Sequence, residues 1–232
     1  MHLKQFRYSA DNFSYLIWNG NSAMAIDPGA VESMRTFLGQ NRLSLAFVTH
    51  THMHPDHTLG TRDLLNGIEA TLLDCRLFPN GDEIDLNGGK VKVYRTPGHT
   101  ADSVTFHFDD SLVTGDTLFN GTVGNCFSGD LRSFYESICF LMGFDDHTRI
   151  YAGHDYVQYS MEFAAVLEPD NAAIETFLRQ YDPAHVWSTL AQERQVNPYL
   201  RFNEPGIIDL LEKRGLAVGS EYERWESLMS ID

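Results

Sequence analysis

A mixed α/β core followed by a small helical appendage is the fold that this 232-residue sequence predicts, and three observations predict it. Short apolar runs alternate with a helix-period segment through the first half of the chain. Several of those runs end directly on glycine, aspartate or histidine, as strands do when they deliver functional groups to one edge of a layered sheet. Beyond about residue 157 the strand-like runs give way to helix-like segments. The expected division is a core over 1–157 and a helical region over 158–232.

In chain order, residues 13–18 and 23–26 read as strands, and Asp27-Pro28-Gly29 closes a turn after them. Residues 31–38 form an amphipathic helix with Met34, Phe37 and Leu38 on one face. The nearly continuous apolar run 43–48 suits a strand buried on both faces. Val91 and Val93, then Val104, Phe106 and Phe108, alternate with polar residues at period two. Leu112 and Val113 make a short strand that ends at Gly115-Asp116. Leu131, Phe134, Tyr135, Ile138 and Leu141 recur at helical spacing, with Ser128 or Asp130 available as the cap. Residues 149–152 are a last strand before Gly153-His154. Helices are expected over 159–167, ended by Pro169, over 172–178, and around 207–211 and 222–229.

The strongest chemical signal is Thr51-His52-Met53-His54-Pro55-Asp56-His57, three imidazoles and a carboxylate within six positions. His52 and His54 stand two apart, so at an extended strand end they point the same way, toward one ion. Asp56 and His57 follow where Pro55 favours a turn and can reach a second ion. The nitrogen and oxygen donors suit zinc best, with iron or manganese also reasonable. The bland alternative is a histidine-rich surface loop. His99, Asp116 and His154 count against it, since each follows a strand. The other histidines lack that placement: His2 and His147 are expected at the surface, His185 beside a loop, His50 in packing, and His107 packed or facing solvent.

Bulk properties narrow the partners. A formal charge of −15 and no Lys/Arg cluster argue against nucleic acid. No apolar run approaches the length of a membrane span, and the first residues lack a signal-peptide core. Cys75, Cys126 and Cys139 are odd in number and form no Cys-x-x-Cys pair, which fits reduced thiols in a cytoplasm. The sequence leaves monomer and small homo-oligomer both open.

Together these motifs resemble the metallo-β-lactamase superfamily, and within it glyoxalase II, the hydroxyacylglutathione hydrolases. The resemblance covers Asp27-Pro28-Gly29, the 51–57 motif, Thr96-Pro97-Gly98-His99-Thr100, Thr114-Gly115-Asp116-Thr117-Leu118-Phe119 and Gly153-His154-Asp155-Tyr156. It extends through Glu168-Pro169-Asp170-Asn171, then Ser188-Thr189-Leu190-Ala191-Gln192-Glu193 and Asn197-Pro198-Tyr199-Leu200-Arg201. The resemblance implies a four-layer αββα sandwich holding two divalent metal ions. One would be held by His52, His54 and His99, the other by Asp56, His57 and His154, with Asp116 bridging and Asp27 behind the site. The implied reaction is hydrolysis of a small-molecule thioester of glutathione or another thiol, with Asp56 and Asp116 as the catalytic carboxylates. On the substrate side Tyr156 and Arg201 match positions that contact glutathione. Asn125 replaces a usual basic residue, and Phe127 stands where many members have tyrosine. A persulfide dioxygenase with one iron, and a hydrolase of another thioester or a lactone, are the competing readings on the same fold.

Overall fold

Two sheets face each other because the strands carry apolar residues on both of their faces. The computed structural model describes residues 1–231. The first sheet runs in the order β1 (His2–Tyr8), β2 (Asn12–Asn19), β3 (Ser22–Ile26), β4 (Ser44–Thr49), β5 (Thr71–Leu72). Its first three strands are antiparallel, and β3, β4 and β5 are parallel. The second sheet contains, edge to edge, β6 (Asp82–Leu86), β7 (Gly89–Arg95), β8 (Val104–Phe108), β9 (Ser111–Gly115), β10 (Arg149–Ala152) and β11 (Ser188–Thr189). There only β9 and β10 are parallel.

Period two then assigns each layer. Phe13, Tyr15 and Ile17 of β2 and Met24 and Ile26 of β3 point between the sheets, where they meet Val91, Val93, Val104, Phe106 and Val113. The intervening Leu16, Ala23 and Ala25 point the other way. They pack on Met34 and Leu38 of α1 (Val31–Gln40) and, past the short α2 (Pro55–Thr58), on Leu64 of α3 (Thr61–Leu65). On the far side Leu112 and Ile150 pack against Phe134, Ile138 and Leu141 of α4 (Leu131–Met142). Helix, sheet, sheet, helix is the αββα sandwich that the family resemblance implied.

Five helices complete the chain: α5 (Val157–Leu167), α6 (Ala172–Gln180), α7 (Leu190–Val196), α8 (Pro205–Lys213) and α9 (Glu221–Met229). They do not form a core of their own. Val157, Met161, Ile174 and Phe177 enter the inter-sheet core, whereas Ile207, Leu211, Trp225 and Leu228 join the layer around α4. Of the two caps expected for α4, Asp130 does the capping, accepting from Ser133 N at 2.9 Å. Ser128 instead donates to Gly98 O at 2.6 Å. Strands β1, β5, β6 and β11 and helices α2, α3 and α7 are elements that periodicity had not indicated. Yet Thr189 and Gln192 form a reciprocal capping box at the start of α7, a signal written in the sequence as Thr-x-x-Gln.

The parallel pairs β3–β4 and β9–β10 bring their carboxyl ends to one edge of the sandwich. There the two sheets are stitched by main-chain hydrogen bonds, Val104 N to Thr51 O at 2.8 Å and Phe13 N to Gly153 O at 2.8 Å. Among the described residues no helix is long and apolar enough to cross a membrane, and all three cysteines are free.

Candidate metal centre

Asp27 directly follows β3 with φ of 51°, a left-handed conformation that aspartate tolerates better than most side chains. The turn aims its fully buried carboxylate under the 51–57 loop. Oδ1 accepts from Thr51 N at 2.8 Å, and Oδ2 accepts from Thr51 Oγ1 at 2.7 Å and from His57 Nδ1 at 2.9 Å. Asp27 thus stands behind the histidines.

The remaining donors form two sets. His52, His54, His99 and Asp116 offer one atom each within 4.8 Å of one another, and so do Asp56, His57 and His154. In the first set His54 Nδ1 lies 3.0 Å from His52 Nε2 and 3.1 Å from His99 Nε2. In the second, His57 Nε2 lies 3.3 Å from His154 Nε2, and Asp56 Oδ2 lies 3.6 and 3.3 Å from those two nitrogens. Asp116 lies between the sets. Its Oδ2 is 3.5 Å from His99 Nε2 and 3.4 Å from His154 Nε2, and its Oδ1 is 3.4 Å from His57 Nε2. Room for this carboxylate depends on Gly153, where an added Cβ would sit 2.1 Å from Asp116 Oδ1.

Four rings are oriented from behind. His57 Nδ1 donates to Asp27, His154 Nδ1 to Asp11 Oδ1 at 3.1 Å, His99 Nδ1 to Asn125 O at 2.9 Å, and His52 Nδ1 to Thr51 Oγ1 at 3.1 Å. Each bond fixes the tautomer that leaves the Nε2 lone pair facing the cluster. Asn12 Nδ2 donates to Asp56 Oδ2 at 2.9 Å, and Tyr8 donates to Asp56 O at 2.8 Å. Tyr8, Asp11, Asn12 and Thr51 were not singled out in the sequence. Nothing local marks the first three, which reach the site only because an isolated bridge pairs Asn12 with His154.

Electrostatics agree with a cation-binding role. Burial alone would raise Asp116, but His57 and His154 hold it well below the usual carboxylate range. Burial would likewise discharge His57, yet Asp27 and Asp116 hold it well above the ordinary histidine value, so the negative potential that would draw a metal ion to Nε2 draws a proton there instead when none is bound. His52 is pushed down to about 3 by burial and by the neighbouring His57. Asp56 is held low against its burial by His57 and Asn12. Asp116 Oδ1 is buried without a hydrogen-bond partner. An orphaned carboxylate oxygen among converging lone pairs is a poor arrangement by itself and a good one around a divalent ion. The residues fit a pair of metal ions.

Comparison with known proteins agrees. A family model described as "Hydroxyacylglutathione hydrolase C-terminus" matches residues 155–228, and "Metallo-beta-lactamase superfamily" matches residues 10–73. A hydroxyacylglutathione hydrolase of Anaeromyxobacter dehalogenans is 35% identical over 87% of this chain and 86% of its own. One from Neisseria meningitidis serogroup C is 34% identical over all of this chain and 97% of its own. The chain belongs to the hydroxyacylglutathione hydrolase family. Solved structures speak to the fold: ETHE1 from Myxococcus xanthus superposes with a TM-score of 0.72 at 23% identity, covering 99% of this chain and 90% of that one. A metallo-beta-lactamase from Staphylococcus aureus gives 0.70 at 23%, covering all of this chain and 67% of that one.

Three of the four residues this family membership suggested for the substrate side lie near the centre. Tyr156 stacks parallel on His154 at 5.1 Å. Phe127 stands edge-on to His54 and His99 at 5.6 and 5.2 Å and is 67% exposed. Asn125 lines a groove of 440 Å³ with Phe119, Tyr156 and Tyr199. Arg201 is a correction. Its Nε and one terminal nitrogen donate to the two Glu168 oxygens at 2.7 and 2.8 Å, and the other donates to Arg194 O at 3.0 Å. It borders a different hollow, between Glu168 and α8. The guanidinium ties helices together and does not face the groove.

The other histidines take structural places. His50 is buried and bonded to Thr61 Oγ1 at 2.6 Å. His107 packs on Tyr94 and Phe144. His147 is exposed beside Asp110, His185 is exposed, and His2 stacks on Trp18.

Proposed function

We propose that this chain hydrolyses 2-hydroxyacyl thioesters, S-D-lactoylglutathione being the first to test, at a centre of two divalent ions, best zinc. The observation that carries the reading is the Asp116 carboxylate standing between two complete donor sets. His52, His54, His99 and Asp116 would hold one ion, and Asp56, His57, His154 and Asp116 the other. When bound, such a pair supplies a water ionised near neutral pH and a Lewis acid for the carbonyl oxygen. Asp56, ionised and half exposed, is placed to accept a hydrogen bond from the attacking water and to orient it. Burial pushes the Tyr156 hydroxyl up to about 12, so it stays a neutral donor available to the substrate's carrier. Phe127 and Phe119 flank the histidines and limit access of bulk water. The thiolate is a good leaving group and needs no dedicated acid.

In this reading residues 1–157 carry the metal centre and residues 158–232 supply one wall of the groove. The free cysteines suit a reducing cytoplasm. The test is turnover of metal-analysed protein on S-D-lactoylglutathione. Thiol release with two metals per chain supports the proposal. Oxygen uptake on a persulfide, with one iron per chain, would replace it by the dioxygenase reading.

A further inference from the structure

The two donor sets are supported differently from outside. In the first, His52 Nδ1 meets the Thr51 hydroxyl and His99 Nδ1 meets the Asn125 carbonyl, both neutral acceptors. In the second, both imidazoles are backed by carboxylates, His57 by Asp27 and His154 by Asp11. A carboxylate behind a ligating ring fixes its orientation and strengthens its free nitrogen as a donor. Asp56, the third member of that set, has a side chain 44% exposed, so water competes for its oxygens. The buried Asn12 amide restrains it, donating to Asp56 Oδ2 at 2.9 Å.

Asp11 and Asn12 are adjacent, the last residue of the β1–β2 turn and the first of β2. Main-chain bonds on either side hold the pair in register with the His154 loop: Asp155 N donates to Asp11 O at 2.9 Å, and Phe13 N to Gly153 O at 2.8 Å. Asn12 Nδ2 therefore comes to rest 3.4 Å from His154 Nε2, at the edge of the second set. Tyr8, at the end of β1, donates to Asp56 O at 2.8 Å. One hairpin thus grips Asp56 and His154, whereas the first set takes its support from Thr51 and Asn125. We propose that Asp11 and Asn12 are positioning residues for the second ion alone, so that this hairpin turn decides whether the centre fills once or twice. The inference rests on the two-ion reading of the centre. Asp116 belongs to both sets, and its loss would release both ions; loss of Asp11 or Asn12 would release one.

Stepwise metal affinity tests this apart from turnover. Full-length chain stripped of metal is titrated with Co²⁺ against a chromophoric chelator, and the cobalt absorption bands report each step. Parent, Asp11→Asn and Asn12→Ala are compared. Asp11→Asn keeps the side-chain volume at a position 38% exposed, so it tests the pair even where Asn12→Ala fails to fold. In each folded variant the second ion should bind about 10- to 100-fold more weakly, and the first within about threefold of the parent. Turnover on S-D-lactoylglutathione should recover at excess metal. Equal weakening of both ions, or of neither, would overturn the inference. Turnover that stays low with the second ion saturated would overturn the positioning role and place the residue in the chemistry. A parent chain that takes up only one ion would instead overturn the two-ion reading, before any variant is compared.

Discussion

Around His52, His57, His99 and His154 each imidazole is gripped at its far nitrogen by a second group, whereas the outermost rings beside the centre, Phe127 and Tyr159, are loosely held, at 67% and 72% exposed. In the first region a displaced ring would break two interactions at once, and in the second it would break almost none. The chemistry of the molecule is therefore over-determined by its geometry. Substrate choice is left to side chains that can change without disturbing the donors. Asn125 shows this directly: its main-chain oxygen orients His99, and its side chain is free to face the groove.

The largest effect should come from the residue that belongs to both donor sets. Asp116→Ala should lower kcat by about 10³-fold or more and reduce bound metal. A fully loaded, fully active variant would remove Asp116 from the centre. Next comes the anchor of the groove, Glu193. It is fully buried and accepts from Gly121 N at 2.9 Å, Asn197 Nδ2 at 2.9 Å and Ser188 Oγ at 2.6 Å. Burial raises it from 4.5 to about 7. The folded state thus binds a proton that the unfolded chain gives up. This contribution to stability is complete below pH 4.5 and is lost as pH rises through 7, by up to about 3 kcal/mol. Denaturation midpoints at about pH 5 and about pH 7.5 should diverge less in Glu193→Gln than in the parent. An unchanged pH slope would mean that Glu193 does not titrate with folding.

A smaller effect is expected behind the cluster. Asp27→Asn should weaken metal binding by about 10- to 100-fold, with turnover restored at excess metal. Turnover that stays low at saturation would place Asp27 in the chemistry rather than in positioning. The smallest effect concerns the corrected residue. Arg201→Ala should destabilise the fold by about 1.5 kcal/mol through its largely buried pair with Glu168 and leave KM nearly unchanged. A large rise in KM with stability intact would return Arg201 to the groove.

How much of this was legible in the sequence follows from how local each constraint is. The His52–His57 cluster was readable because metal donors rarely crowd into six residues unless they bind an ion, β2 and β3 because they are short apolar runs closed by turn residues, and β8 because its alternation is strict. Strand β1 was hidden because Gln5 is buried in it, bonded to Tyr15 and to the main chain at Val186. A polar residue in the core masks the period. Asp11 and Asn12 act on His154 and Asp56 across more than forty residues, which no motif encodes. Arg201 sat at a position of known use in the family, but position does not say where a guanidinium points. Glu168, 33 residues earlier, decides that.

The donors are also distributed unequally between the sheets. His52, His54, Asp56 and His57 follow β4 of the first, and His99, Asp116 and His154 follow β7, β9 and β10 of the second. Either ion would thus be riveted across the seam, drawing on both halves of the sandwich. Free metal then becomes a fastener as well as a reagent: the halves part only when the ions leave, and unfolding must follow metal concentration.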